Sequence, residues 1–393
     1  MLITAAILAI FVYGMIAAML GTILPYLSTR FQLTPEQNGY IALAQAVGLI
    51  IASVSAGPLI DNKGKKTGLL IGLALIAAAL FALPNATGYY TVMLYLFLLG
   101  LGGGTIVTAA NALVSDVGAE RRASVLNLLN LFFGLGGLAT PFVAANLLGG
   151  DAIRLAYLAA ILTALTLAVH GATRMPAPSG ERGFKTSEAG RLLGRPVLWL
   201  LSLFLFLYVA CEVGVWNWLV KHLIAQGVPE SVALNVLSLG FALGLLLGRV
   251  VVSRILITVP AATVTLAAAV LMAGTTYLML QATGITVVWI AVFCAGIAMA
   301  PVFPTTLAMV GDAFPKMTAT AMGIVITSGW IGLAVSSRII GALAGTDVTP
   351  DPVRLKTALL VIPVFSAIMI VVNLVLRPMM ARVKAQAAAP TAG

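Results

Sequence analysis

Apolar runs long enough to cross a lipid bilayer recur along the whole chain, and nothing else in the sequence limits the fold so strongly. The segment LLIGLALIAAALFAL (69–83) carries no charge over fifteen residues, and comparable runs flank it on both sides. A membrane-spanning helix needs about 20 mostly apolar residues. In lipid, only helices and closed barrels satisfy the backbone internally. A barrel strand would alternate polar and apolar side chains, so the continuous runs exclude it. With 61% apolar and 9% charged residues and a mean hydropathy of +1.09, the chain cannot build an ordinary water-facing surface. It reads as an all-α integral membrane protein. The opening MLITAAILAI lacks a basic leader region and runs into too long an apolar stretch for a cleaved signal, so it is expected to be the first span. Cys211 and Cys294 both fall inside spans, where small buried side chains are expected rather than a disulfide.

Cutting the sequence at its polar clusters gives twelve spans: 4–29, 36–60, 67–84, 91–114, 123–148, 152–173, 196–223, 231–252, 260–281, 286–311, 319–344 and 355–377. Basic residues gather on alternate connections. One side holds Lys63, Lys65, Lys66, Arg121, Arg122, Arg174, Arg182, Lys185, Arg191, Arg195, Arg249, Arg254, Lys316, Arg377, Arg382 and Lys384. The other has Arg30, Arg154, Lys221, Arg354 and Lys356. The positive-inside rule accounts for this asymmetry, and for the net charge of +10, without invoking nucleic acid. It places both termini in the cytoplasm of a multi-pass protein, expected in a bacterial plasma or inner membrane.

The longest connection, RMPAPSGERGFKTSEAGRLLGRP (174–196), divides six spans from six. The expected organisation is therefore an N-terminal bundle (1–173), a cytoplasmic linker (174–195), a C-terminal bundle (196–378) and a tail (379–393). An offset of 196 residues aligns Gly48 with Gly244, Gly100 with Gly296 and Asp116 with Asp312. This pattern favours a parallel duplication of six spans.

Between spans two and three stands GPLIDNKGKKTG, with Gly57, Asp61, Gly64, Lys65 and Lys66 in a short basic connection. Glycine permits a tight turn and close helix approach. An acid gains from a neighbouring helix N-terminus, and lysines meet carboxylates or lipid phosphates. The spacing Gly-x-x-x-Asp-x-x-Gly-Lys/Arg resembles the signature loop of the major facilitator superfamily. The resemblance implies two six-helix bundles rocking about a central site lined by spans 1, 4, 7 and 10, with Asp61 and its basic neighbours as a gating latch. A plainer reading of the loop is a positive-inside turn that only holds topology.

Three further stretches resemble the fucose-galactose-glucose:proton symporter family. FLYVACEVGVWNWL in span seven is similar to its Tyr-Val-Gly-x-Glu signature through Tyr208, Val209 and Glu212, with Ala210 in place of glycine. MAPVFPTTLAMV in span ten carries its Phe-Pro-Thr segment as Phe303, Pro304 and Thr305. In span four, Thr108, Ala109, Ala110 and Asn111 match its Thr-Ala-Ala-Asn, but Val107 stands where the family has glutamate. Span one also lacks the family's aspartate. The resemblance implies proton coupling through acids that are absent here, which leaves three alternatives: Glu212 takes over the protonation step, the protein is a facilitator, or it couples in another way.

A charge at the centre of a span costs about 2.5–3.5 kcal/mol on insertion scales, and two stand out: Glu212 and Arg338. Counted from the starts of spans seven and eleven, they lie about 24 and 28 Å deep at about 1.5 Å per residue. Because the resemblance to the superfamily implies that spans seven and eleven pack together, an ion pair between Glu212 and Arg338 is expected, either as a static pin or as a coupling element. Trp216 lies one turn above Glu212 on the same face and suits stacking on a ligand. Trp218 fits the interfacial belt, with Lys221 and His222 marking the water boundary. Asn217, Asn111, Thr108, Gln45 and Tyr13 complete the candidate substrate-binding set. For Thr105, Thr108 and Asn111 the plainer role is hydrogen bonding between helices, and Tyr13 in span one could simply pack. Pro301 and Pro304 are expected to bend span ten.

The residues and the resemblance together point to a secondary transporter of a small polar solute, a sugar or sugar-like compound, moved by alternating access with or without proton coupling. Efflux of amphipathic compounds is the alternative within transport, and a non-transporting membrane sensor or assembly partner the alternative outside it. No catalytic constellation stands out, so an enzyme is not expected. No cofactor or metal is implied. The expected partners are the solute, protons and membrane lipids, with no nucleic acid, for a monomeric protein.

Overall fold

The computed structural model of the protein describes residues 2–117, 122–175, 192–314 and 317–388. Among the described residues, twelve helices are long and apolar enough to cross a membrane. They are α1 (Leu2–Phe31), α2 (Pro35–Lys63), α3 (Lys65–Ala82), α4 (Tyr89–Val117), α5 (Arg122–Asn146), α6 (Ala152–Ala172), α7 (Pro196–Ala225), α8 (Glu230–Ile255), α9 (Ala261–Gln281), α10 (Ile285–Ala313), α11 (Thr318–Ala344) and α12 (Pro352–Leu359, continuing as Val361–Ala388). The twelve crossings leave the start of α1 and the end of α12 on the same side, here called the terminal face. The opposite side is the distal face.

Local chemistry sets the helix boundaries. Thr34 starts α2 with a capping box, its hydroxyl accepting from Gln37 N while the Gln37 side chain accepts from Thr34 N. Asp151 and Asp351 cap α6 and α12. Gly64 alone joins α2 to α3, at φ +89°, a left-handed value that an L side chain rarely takes. Helix α10 is interrupted between Met299 and Val302, where Pro301 lacks the amide hydrogen that a continuous helix needs. Helix α8 contains a π-helical stretch, Val236–Ala242.

The helices assort into two six-helix bundles. In the first, α2 packs on α4, α1 on α5, and α3 on α4 and α6; in the second, α7 packs on α11 and α12, α9 on α10 and α12, and α8 on α10. The 196-residue offset recurs in the packing itself. A Cβ on Gly48 would overlap the carbonyl oxygen of Phe97, and one on Gly100 that of Gln45. In the second bundle Gly244 meets the Phe293 carbonyl and Gly296 the Phe241 carbonyl in the same way, and each contact residue sits 196 positions beyond its counterpart. The α2–α4 and α8–α10 crossings are thus one glycine-dependent contact used twice. Residues 176–191 of the expected linker and 389–393 of the expected tail lie outside the described residues; α12 itself continues to Ala388.

Contacts between the bundles are rich in the distal half. Gly21 of α1 lies against the Trp216 carbonyl of α7, and Gly39 of α2 against Gly341 of α11. Lys221 Nζ donates to Ser28 Oγ at 3.1 Å, and Glu36 N to Gly345 O at 3.2 Å. The Asn146 and Asn235 side chains exchange hydrogen bonds of 2.7 and 3.2 Å, and Ser238 Oγ donates to Leu138 O at 2.8 Å.

Candidate functional site

Residues from both bundles converge below this distal seal. Tyr13 on α1 tilts against Phe133 on α5, ring centres 5.2 Å apart. Trp216 on α7 meets Phe241 on α8 edge-on, also at 5.2 Å and at 79° between planes. Phe241 belongs to the π-helical stretch, which re-aims side chains relative to a regular helix and occurs often at functional sites. Two glycines make room for the rings: Gly137 faces the far edge of the Trp216 indole, and Gly103 on α4 faces the Tyr13 ring.

Glu212 lies within this aromatic frame, 9% exposed. Its Oε1 accepts one long hydrogen bond, 3.4 Å, from Trp216 Nε1, as their spacing of one helical turn allows. An ionised carboxylate accepts at about four lone-pair positions, so most of its acceptor capacity is left for other donors. The buried Tyr208 hydroxyl, one turn toward the terminal face, has no hydrogen-bond partner of good geometry among the described residues. Gly137 meets both the Trp216 indole and the carbonyl of Gly14, the neighbour of Tyr13, so Glu212, Trp216 and Tyr13 are brought to one region.

Other residues go elsewhere. Arg338 does not pair with Glu212: its Nη2 bonds Glu36 Oε1 of α2 at 2.9 Å, and its guanidinium lies 4.3 Å from the centre of the Tyr40 ring. Depths counted from the terminal ends concealed the difference, because α7 extends farther toward the distal side. Counted from the distal ends, Glu212 lies about 20 Å down α7 and Arg338 about 9 Å down α11. Trp218, Lys221 and His222 are likewise buried and not at a water boundary. Lys221 reaches Ser28 of α1 in the distal seal, and sequence spacing alone does not distinguish such buried positions from an interfacial belt.

On α4, Thr105 and Thr108 do not bond between helices. Their hydroxyls donate to the carbonyls of Leu101 and Gly104, four residues back, at 2.8 and 2.9 Å. Thr108 and Asn111 are half-buried, whereas Gln45 and Asn217 are buried. In the motif between α2 and α3, Lys66 Nζ donates to Gly171 O of α6 at 2.7 Å. Gly57 has nothing within 4 Å of where a Cβ would stand, so no close helix approach requires it in this conformation. Gly64 forms the turn, Lys65 begins α3, and the Asp61 side chain lies outside the described residues. Cys211 and Cys294 are free.

Sequence reasoning missed Arg249. Assigned to a basic connection, it lies on α8 six residues before the helix ends, and its Nη1 donates to Asn130 O of α5 at 3.1 Å. Its guanidinium is 5.8 Å from the centre of the Phe133 ring. The available signal was its place within an apolar span, GLLLGRVVV, at the end of one continuous helix.

The fold and this convergence define a membrane carrier made of two bundles around a central polar group. The family model of the Major Facilitator Superfamily matches residues 6–337, and the chain belongs to that superfamily; it is a multi-pass membrane transporter and not an enzyme. It is similar to a glucose/galactose transporter of Brucella abortus, 27% identical over 361 residues that make up 87% of each chain. Among solved structures, a variant of the nucleoside transporter NupG superposes with a TM-score of 0.80 at 13% identity, covering 96% of this chain and 100% of that one. A variant of the fucose:proton symporter FucP of E. coli gives 0.67 at 19% identity, covering 95% and 98%.

Proposed function

We propose that the protein carries a small hydroxylated solute, of the sugar or sugar-like class, by alternating access, with Glu212 as its proton-coupling carboxylate. The observation that carries this reading is the placing of one under-satisfied buried carboxylate among aromatic faces where the two bundles meet. Aromatic faces match the apolar C–H face of a pyranose, while carboxylate and amide groups match its hydroxyls. The Brucella glucose/galactose transporter and the fucose:proton symporter FucP both carry sugars, which points the same way.

In this reading residues 1–173 and 196–378 are the rocking units, joined by the linker 174–195 and followed by the tail 379–393. The terminal face is cytoplasmic, by the distribution of basic residues. With the distal half sealed, the described conformation is the inward-facing one. The basic turn at Gly64, Lys65 and Lys66, with Gly57 and Asp61, then serves as the latch of the opposite state. Glu212, Trp216, Asn217, Gln45 and Tyr13 bind the solute; Thr108 and Asn111 line its exit toward the terminal face.

Purified protein in proteoliposomes with an imposed inward proton gradient, offered labelled sugars, organic acids and lipophilic cations, tests the reading. Saturable uptake of a hydroxylated solute, lost in Trp216→Ala, is the expected result. Transport of lipophilic cations alone would replace the polar-solute reading with amphipathic efflux.

A further inference from the structure

Arg249 is the one arginine described within a span that meets aromatic and carbonyl groups of the opposite bundle without a salt bridge among the described residues. Arg338, by contrast, is matched by Glu36. Along a helix the Cα–Cβ bond leans toward the N-terminus, and α8 starts at the distal face, so the Arg249 side chain reaches back toward the middle of the membrane. There it meets about one turn of α5: the Asn130 carbonyl, the Phe133 ring, and Gly134, whose missing side chain leaves the Nη1 side open. Its Nε is buried with no hydrogen-bond partner.

The height of this guanidinium follows from two contacts. Trp216 touches Gly137 on α5, and Glu212 lies one turn from Trp216 toward the terminal face, which is the tier of Phe133 and Gly134. Arg249 therefore brings its charge to the tier of Glu212, at the seam between α8 of its own bundle and α5 of the other. A guanidinium offers five donors in a planar fork that matches a carboxylate in two-point fashion. One of them is used on a neutral carbonyl, and the ring contact uses none.

We propose that Arg249 is the docking point for an anionic group on the solute, so that the carried compound is a hydroxylated carboxylate, an aldonate or uronate, and not a neutral sugar. The proposal rests on the polar-solute reading above and sharpens it. The carboxylate meets Arg249, the hydroxyls meet Glu212 and the amide side chains, and the apolar face of the carbon chain or ring lies against Trp216.

The test compares gluconate with gluconamide, and glucuronate with glucose, as competitors of labelled gluconate uptake into proteoliposomes. The first pair keeps every hydroxyl and changes only the anionic group; in the second the C6 carboxylate replaces the C6 hydroxyl and the ring hydroxyls are kept, so the wild-type protein suffices. Expected is competition by each acid at least about tenfold stronger than by its neutral counterpart, the scale of one charge-assisted two-point contact. Arg249→Gln is expected to raise the KM for gluconate by about tenfold or more at unchanged melting temperature, with Arg249→Lys intermediate. Gluconamide competing as well as gluconate would overturn the proposal whatever the variants do. Transport of glucose or galactose with no uptake of either acid would overturn it while leaving the polar-solute reading intact. Transport of neither class, with lipophilic cations carried, would remove both.

Discussion

Replacing Arg338 by glutamine should release the distal seal. Two interactions are lost together: the ion pair with Glu36 and the stacking over Tyr40. The paired side chains are 34% and 31% exposed, so the ion pair belongs with solvent-screened pairs, worth about 0.2–1 kcal/mol. The cation–π contact at such a site adds about 0.5–1 kcal/mol. Arg338→Gln therefore shifts the balance between distal-closed and distal-open states by about 1–2 kcal/mol, a roughly five- to thirtyfold change in their ratio. Glu36→Gln removes only the pair and should shift it by no more than about fivefold. Spin labels at Thr29→Cys and Gln226→Cys, with Cys211 and Cys294 replaced by alanine, report the distal opening through their distance distribution. A longer-distance population should grow in both variants, more in Arg338→Gln, and raised salt should shrink the difference between Glu36→Gln and wild type. Identical distributions in all three proteins, or a larger effect from Glu36→Gln, would refute the assignment of this contact as a latch.

The repeated glycine contact predicts matched damage. Gly100→Ala and Gly296→Ala each drive a methyl into a backbone carbonyl and should each lower stability by about 1–3 kcal/mol, read as comparable falls in melting temperature. Gly57→Ala, which meets nothing within 4 Å, should leave melting unchanged while slowing transport if the motif packs closely in the opposite state. Lys221 is buried with the Ser28 hydroxyl as its one described hydrogen-bond partner, so Lys221→Met should keep or raise the melting temperature, as replacing buried charge by an apolar side chain often does. A fall of several degrees would contradict this account of the seal. Glu212→Gln should abolish proton-driven accumulation while sparing exchange of solute across the membrane, and unchanged pH dependence of uptake in a folded variant would remove Glu212 from coupling.

Span number, the duplication and the superfamily were legible because hydropathy, glycine spacing and one loop motif are local properties. The 196-residue offset aligned glycines that make the same backbone contact in each bundle. The site was legible in part. Glu212 and Trp216 sit one turn apart on a single helix, so their contact follows from helical geometry. The surroundings of Arg338 and Arg249 both differ from those expected, because a side chain's partner depends on where a neighbouring helix ends and how it is rotated. Depth counted along α11 gave no sign that the first turn of α2 brings Glu36 to Arg338. Likewise, a basic residue near the end of a span looks the same in sequence whether it faces headgroups, as was expected of Arg249, or reaches inward, as it does.

Entrance counterflow tests the central claim most directly, because it needs a carrier with a binding site alternately open to each side and needs no knowledge of the coupling ion. Proteoliposomes loaded with unlabelled hydroxylated solute and diluted into a trace of the labelled compound should show a transient overshoot of label above its equilibrium level. That overshoot should disappear in Trp216→Ala. A monotonic approach to equilibrium, or no entry of any hydroxylated solute, would contradict the account.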